Sequence, residues 1–321
     1  MPQISPAYAV GRVRVLERTL LGSSQLERLM AVQTVEELAR ALVEMNWAEV
    51  RGRADIERMC GRHTQQAAQL VRDCSSDPQL TDCFLIQYDA LNLKVLYKAK
   101  ALGEEAALSD MGTLEPAKLR QAVEEGNYRE LPRELAQAME DIERHSAVKM
   151  DPLYVDAQLD KAAFALIANR MKGCKEATVK QYFACKAELA NLMIALRSAA
   201  MGRGAAFAGA LFVPGGELKL EQLAQVVQDP QRAWNLISQR PYGQALKAAV
   251  KEGDLPAIER AGDDYLLSLV RPHRYEPTSL LPLVGYLLAR TRESQVIRLL
   301  ATAKAAGAGQ DKIFARLRAL Y

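Results

Sequence analysis

The residues with the clearest chemical potential form acid–amide pairs three positions apart. Asp89 precedes Asn92, and Glu188 precedes Asn191, so each pair lies on one side of a predicted helix. A carboxylate in such a pair could in principle act as a general acid or base. Nothing near either pair in the sequence completes a catalytic site, and we therefore predict no catalytic residue.

Metal chemistry is equally poorly supported. The three histidines, His63, His145 and His273, are far apart and none belongs to an HExxH pattern or another metal-ligand spacing. We predict no metal site and expect each histidine to be a surface or capping residue.

The glycine-rich segments do not indicate a cofactor. They lie at Gly202-Arg203-Gly204 and Pro214-Gly215-Gly216, and neither continues into the GxxxxGK[ST] loop that cradles phosphate. We therefore predict no nucleotide or other cofactor.

The cysteines favour reduced thiols in a cytoplasm. They are odd in number and contain no CxxC pair, and a helical protein of this size needs no disulfide. Their positions are Cys60, Cys74, Cys83, Cys174 and Cys185.

The two asparagines sit centrally on apolar helix faces, where an amide is unfavourable unless it is hydrogen-bonded. One interpretation of Asn92 and Asn191 is a ligand site. The other, which we favour, is that each amide satisfies free backbone groups of a neighbouring helix end. Val296 takes the equivalent place in a third helix, which supports a structural role.

An internal repeat relates these helices. Each copy has an acid, a central residue three positions later, and a glycine eleven positions after the centre. The copies are Asp89, Asn92 and Gly103; Glu188, Asn191 and Gly202; and Glu293, Val296 and Gly307. The centres are about a hundred residues apart. We call the helices that carry this pattern the signature helices.

The repeat predicts three related domains. At about 100° per residue, the centre, the residues four and seven beyond it, and the glycine share one helix face, and small residues there favour close helix packing. Turn residues follow two of the signature helices, at Gly112-Thr113 and Pro214-Gly215-Gly216. We predict helical domains at residues 1–112, 113–214 and 215–321.

Composition and helix-start signals agree on an all-α fold. Hydrophobic residues make up 49% of the 321 residues but aromatic residues only 6%, which is typical of packed helices. Thr34 with Glu37 has the form of a capping box, and further helix starts are expected at Ser109 or Thr113, at Asp151-Pro152, and from Asp254 to Pro256. The pattern predicts about fifteen helices and almost no strand.

Charge and hydropathy restrict the partners. A net charge of +3 disfavours nucleic acid as the main partner. Arg12, Arg14 and Arg18 could face a polyanion or an acidic partner, although a solvated helix face is the more common reason for such a run. The N-terminus lacks the apolar region of a signal peptide. The most apolar stretch, from Leu280 to Ala289, is far shorter than the roughly 20 residues that cross a bilayer, so no direct bilayer insertion is expected.

Several ordered motifs resemble those of one family, the C subunits of the archaeal and bacterial A/V-type ATPases, which are equivalent to the d subunit of the vacuolar enzyme. The resemblance covers essentially the whole chain. Its motifs are Tyr8-Ala9-Val10-Gly11-Arg12-Val13-Arg14 with Leu20-Leu21, Tyr88-Asp89-Ala90-Leu91-Asn92-Leu93, Lys98 to Gly103, Leu159-Asp160-Lys161-Ala162-Ala163-Phe164, Glu188-Leu189-Ala190-Asn191-Leu192, Phe212-Val213-Pro214-Gly215-Gly216 and Tyr286-Leu287-Leu288-Ala289-Arg290. Val296 departs from the asparagine that is usual in the family's third helix.

The resemblance implies three similar helical domains that form a funnel about a pseudo-threefold axis. It also implies a non-enzymatic central-stalk cap, in the cytoplasm and peripheral to the membrane through its complex. Its partners would be the central-shaft subunits and the membrane proteolipid rotor ring, and it would transmit torque for ATP-coupled proton or sodium transport.

Two other classes compete with this interpretation. A free helical-repeat scaffold would also be periodic, but its repeats are usually shorter and more numerous. A helical enzyme would need a catalytic motif, which we do not find.

Overall fold

The computed structural model describes residues 5–47, 50–146 and 150–321. These residues form seventeen α-helices and two 3-10 segments, without a strand, which confirms the predicted all-α class. The α-helices are α1 (Pro6–Glu17), α2 (Ser23–Ala31), α3 (Val35–Glu44), α4 (Arg53–Cys74), α5 (Pro78–Thr81), α6 (Ile86–Leu102), α7 (Pro116–Glu125), α8 (Arg133–Ser146), α9 (Pro152–Gly173), α10 (Ala177–Ala200), α11 (Ala205–Leu211), α12 (Leu220–Gln228), α13 (Arg232–Ile237), α14 (Gly243–Glu252), α15 (Leu255–Val270), α16 (Leu281–Ala305) and α17 (Gln310–Phe314). The 3-10 segments are Asp82–Phe84 and Arg271–Tyr275.

Most of the predicted helix starts are confirmed. Thr34 caps α3 and forms the reciprocal capping box with Glu37. Asp151 caps α9, whose first residue is a proline, and the Asp254 side chain accepts a hydrogen bond from the Ala257 amide at the start of α15.

The predicted start at Ser109 or Thr113 is wrong. The helix there begins at Pro116, after Glu115. Ser109 and Thr113 stay in an irregular segment because their polar groups bind side chains of α6, as described below. Tertiary hydrogen bonds therefore override a local capping signal.

The chain divides into two compact units, Met1–Pro78 with Glu259–Tyr321, and Gln79–Ile258. In the first, α16 packs against α4 and α1, around an apolar core that includes Leu38, Ile56 and Leu300. In the second, α9 packs against both α6 and α8, while α10 packs against α12. The three-domain division at residues 112 and 214 stays a prediction.

The signature helices are α6, α10 and α16, and all three end in the same way. Gly103, Gly202 and Gly307 have φ values of 69°, 65° and 61°, in the left-handed region. The amide after each glycine bonds back to a carbonyl five residues earlier, as in Arg203 to Ser198 at 2.8 Å. A side chain at any of the three would meet no atom within 4 Å, so the predicted role of these glycines in close helix packing is wrong.

None of the helices formed by the described residues combines the length and the apolar character needed to span a bilayer.

Replacing Gly202 tests the helix-end geometry. Gly202→Ala places a Cβ on a left-handed residue, and we expect the free energy of unfolding to fall by about 1–2 kcal/mol. Gly209→Ala is the control, because Gly209 lies inside α11, with open space around it and no positive φ. Urea unfolding of both variants measures the difference. Equal stability of the two would contradict the conformational explanation.

Candidate functional site

The asparagine of α6 is held by a pair of hydrogen bonds to one backbone residue. The amide nitrogen of Asn92 donates to the Ser109 carbonyl, and the Ser109 N–H donates to the Asn92 amide oxygen, both at 2.8 Å. Asn92 is only 1% exposed. The side chain therefore satisfies a backbone donor and acceptor in the irregular segment that follows α6.

The asparagine of α10 repeats this geometry. Asn191 donates to the Val213 carbonyl and accepts from the Val213 N–H, again at 2.8 Å. Val213 lies just beyond the end of α11, so the predicted helix-end partner is confirmed here. For Asn92 the backbone partner is confirmed, but it lies in an irregular segment rather than at a helix end.

The acid of α6 binds the same segment a few residues further on. Asp89 is 1% exposed, and it accepts from the Thr113 N–H at 3.1 Å, the Thr113 hydroxyl at 2.6 Å and the Leu114 N–H at 3.0 Å. Burial raises the pKa of Asp89, and the three donors oppose that rise by stabilising the carboxylate. A buried acid with three donors to the ionised form acts as a clamp on a loop.

The acid of α10 has stronger partners. Glu188 accepts from the Glu217 N–H at 2.9 Å, from Nε of Arg240 at 2.9 Å and from the Tyr242 hydroxyl at 2.8 Å. Arg240 also donates to Glu217 at 3.0 Å. The pKa of Tyr242 is raised by burial and by the adjacent carboxylate of Glu188. The acid thus joins the segment after α11 to residues near the start of α14.

Two glycines allow the loops to approach these acids. A Cβ on Gly112 would overlap the carboxylate of Asp89, and a Cβ on Gly216 would lie 2.6 Å from Cγ of Glu188. Each glycine immediately precedes the residue whose N–H binds the acid, Thr113 or Glu217. The turn glycines noted in the sequence are therefore required for close approach to the signature helices.

In the third copy, the acid binds a backbone amide near the N-terminus. Glu293 on α16 accepts from the Leu21 N–H at 2.7 Å and from Nη1 of Arg290 at 2.5 Å. Arg290 also binds the Tyr286 hydroxyl and the backbone and side chain of Thr19. Val296, in place of asparagine, packs in the apolar core and leaves no amide to satisfy.

Sequence reasoning missed the arginine and tyrosine partners of these acids. For Glu293 a signal existed, since Tyr286, Arg290 and Glu293 follow one another at spacings of four and three, on one face of a helix. For Glu188 none existed, because Arg240 and Tyr242 are more than fifty residues away in the chain.

Comparison with known proteins assigns the chain to a family. The family model described as ATP synthase (C/AC39) subunit matches residues 9–316. The chain belongs to this family. It is 25% identical to the C subunit of the A-type ATP synthase of Haloferax volcanii, covering 98% of this chain and 97% of the relative. It is 27% identical to the C subunit of the V-type ATP synthase of Thermus thermophilus, over 92% and 93% of the two chains, and 20% identical to the C subunit of the V-type sodium ATPase of Enterococcus hirae, over 96% and 97%.

In this member of the ATP synthase (C/AC39) subunit family, two of the three N-terminal arginines bind other side chains. Arg14 forms an ion pair of 2.5 Å with Glu17 and lies against the ring of Tyr275. Arg12 donates to the sulfur of Cys74 at 3.4 Å, whereas Arg18 is exposed. The interpretation as a solvated helix face is therefore wrong for Arg14.

The cysteines are all free thiols, and all except Cys174 are buried. Burial raises the pKa of Cys60 to about 12 and that of Cys83 to about 11, which keeps these thiols protonated and unreactive. Within the described residues, no group of three or more His, Cys, Asp or Glu side chains is arranged to hold a metal ion.

The histidines differ in their surroundings. His145 is exposed and stacks on Tyr154, and His273 pairs with Glu276 at 2.6 Å. His63 packs against the buried Trp47, and its Nδ1 is buried without a hydrogen-bond partner in the described part of the chain. The predicted surface or capping role is wrong for His63.

Replacing Asn191 tests the backbone clamp. Asn191→Leu leaves the Val213 N–H and carbonyl unsatisfied in a buried position, and we expect stability to fall by roughly 1–3 kcal/mol. Asn235→Leu, at an exposed position of α13, serves as the matched control and should stay within about 0.5 kcal/mol of the unmodified protein. Chemical denaturation gives both values. An unchanged Asn191→Leu stability combined with lost assembly would instead assign the amide to an interface.

The half-buried imidazole of His63 predicts a pH dependence of stability. Burial, together with Arg290 and Arg62, lowers its pKa to about 4, so the native state disfavours the protonated ring. The unfolded chain then binds more protons than the native state between about pH 6.5 and pH 4, and stability falls as pH decreases through that window. In His63→Gln this part of the slope should disappear. Urea unfolding at pH 7 and pH 5 tests it, and an identical slope in both proteins would refute the assignment.

Proposed function

We propose that the protein is the central-stalk cap of a V/A-type rotary ATPase. It would join the rotor shaft to the membrane proteolipid ring and transmit torque for ATP-coupled proton or sodium transport. The observation that carries the proposal is the family match over residues 9–316, nearly the whole chain. The relatives bear the names of A-type and V-type ATP synthase subunits and of a sodium ATPase subunit.

Three buried acids, Asp89, Glu188 and Glu293, bind backbone amides of other segments, and we call these contacts the clamps. The clamps support a mechanical role. The acids of α6 and α10 bind the backbone that opens the following repeat, at Thr113 and Glu217, while Glu293 binds Leu21 in the first repeat. We propose, as the family resemblance implies, three similar helical domains that form a funnel about a pseudo-threefold axis.

A torque-transmitting part must resist deformation at its joints. Charge-assisted hydrogen bonds are directional and are strengthened in a low-dielectric interior, whereas the hydrophobic effect is non-directional. The acidic residues Asp89, Glu188 and Glu293 are each 1% exposed, so water competes little for their donors. The clamps would therefore hold loops rigidly against the signature helices under load.

The proposed role needs no catalysis by this subunit. Its partners would be the central-shaft subunits on one face and the proteolipid ring on the other. It would lie in the cytoplasm, attached to the membrane through the complex. The chemistry of the subunit would then be surface complementarity alone.

Removing the subunit tests the coupling role. In membranes reconstituted without it, we expect the soluble head to keep hydrolysing ATP while ATP-driven ion transport stops, because the shaft has no rigid seat on the ring. Adding the purified protein back should restore transport. Both activities are measured in the same vesicles. Ion transport at the normal rate with the protein demonstrably absent would refute the proposal, and recovery of the protein from cells only as a free monomer would favour the scaffold.

A further inference from the structure

One surface of the first unit is both basic and aromatic. It consists of exposed residues of α1, of Arg18 directly after that helix, and of the 3-10 segment Arg271–Tyr275. We call it the basic–aromatic surface, and its members are Tyr8, Arg12, Val15, Arg18, Arg271 and Tyr275. The three uncharged side chains are unusually open for their size, with exposures of 58% for Tyr8, 67% for Val15 and 73% for Tyr275.

Contacts between the two elements make this a single surface. The guanidinium of Arg14 on α1 lies 4.5 Å from the centre of the Tyr275 ring, and Glu17 on α1 lies 3.6 Å from Arg274 of the 3-10 segment. Both α1 and the 3-10 segment pack on α16. The exposed Tyr275 ring therefore contacts the guanidinium groups of Arg14 and Arg274, at 4.5 and 5.2 Å, and it loses less freedom than an unsupported ring if a partner covers it.

The acids next to this surface already have partners within the first unit. The Glu17 side chain is 5% exposed and lies 2.5 Å from Arg14 and 3.6 Å from Arg274. Glu276 is paired with His273 at 2.6 Å. Arg12, Arg18 and Arg271 are the exposed arginines of this surface.

Two of these arginines have no charged partner in the described part of the chain. No described carboxylate forms an ion pair or a hydrogen bond with Arg18 or Arg271, and both are exposed. Arg12 is also exposed, and its guanidinium donates to the sulfur of Cys74 at 3.4 Å. An anionic ligand could therefore bind Arg18 and Arg271 without first breaking an internal ion pair.

We propose that the basic–aromatic surface binds an acidic segment of another protein, whose carboxylates pair with the arginines while an apolar side chain covers Tyr275. This inference rests on the proposed function, so the partner is another subunit of the rotary ATPase. Charge complementarity selects an acidic partner. The residue types favour a protein as the partner, because arginine and tyrosine are enriched in protein interfaces whereas lysine is depleted.

The composition also argues against a lipid surface as the occupant. Attraction to anionic lipid acts on lysine and arginine alike, yet α1, the residue that follows it and the 3-10 segment together carry five arginines and no lysine. The planar guanidinium pairs with a carboxylate through two parallel hydrogen bonds, which a lysine cannot do.

Charge reversal on this surface provides the test. The variant Arg18→Glu with Arg271→Glu changes the two exposed arginines, and Arg40→Glu with Arg133→Glu is a control with the same change in charge at exposed positions elsewhere. Each purified protein is titrated onto a rotary ATPase preparation depleted of this subunit, at low and moderate salt. We expect the surface variant to bind at least about tenfold more weakly and with a smaller salt dependence, while the control stays within about twofold of the unmodified protein.

The outcomes separate this proposal from the proposed function. If the unmodified protein does not bind the depleted complex, the proposed function fails and this surface fails with it. If it binds and the surface variant binds equally well, only the basic–aromatic surface is refuted. Binding of the unmodified protein, but not the variant, to phosphatidylserine vesicles, with unchanged binding of the variant to the complex, would also refute it in favour of lipid. Circular dichroism of each variant checks that the fold is retained.

Discussion

A carboxylate removed from water must find its hydrogen-bond donors elsewhere in the chain, and this requirement organises the structure. Asp89, Glu188 and Glu293 each project from a long helix into a buried position. Leaving any of them unpaired would cost several kcal/mol. Each acid therefore fixes a particular stretch of backbone against its helix, and the irregular segments gain a defined position.

The three acids obtain their hydrogen-bond donors from different chemical groups. Asp89 is satisfied by neutral donors alone, two backbone amides and the Thr113 hydroxyl. Glu188 and Glu293 add an arginine, Arg240 or Arg290, which compensates the buried charge as well as the lone pairs. Burial still raises the pKa of Glu293, although Arg290 opposes the rise.

At the central position of the repeat, two copies have an asparagine and the third has a valine. Asn92 and Asn191 each bind one backbone residue through both of its polar groups. In α16 the same position is Val296, which contributes to the apolar core instead. A polar pair and an apolar contact are alternatives of similar net stability when the whole local environment changes together. The repeat therefore preserves the helix and its termination while its internal chemistry varies.

The sequence by itself determined the all-α class, most helix starts and the common pattern of the signature helices. These features depend on residues within one or two helical turns, such as Thr34 with Glu37, so local spacing is sufficient to predict them. It also determined that Asn92 and Asn191 need polar partners, because their positions on apolar faces follow from helical periodicity alone. Only the tertiary structure decided which partners they have. Ser109 and Thr113 carry a good local capping signal but bind α6 instead, and Arg240 and Tyr242 reach Glu188 from more than fifty residues away. Such pairings depend on how segments distant in the chain are brought together, and that is a property of the packed fold, which no local pattern of residues encodes.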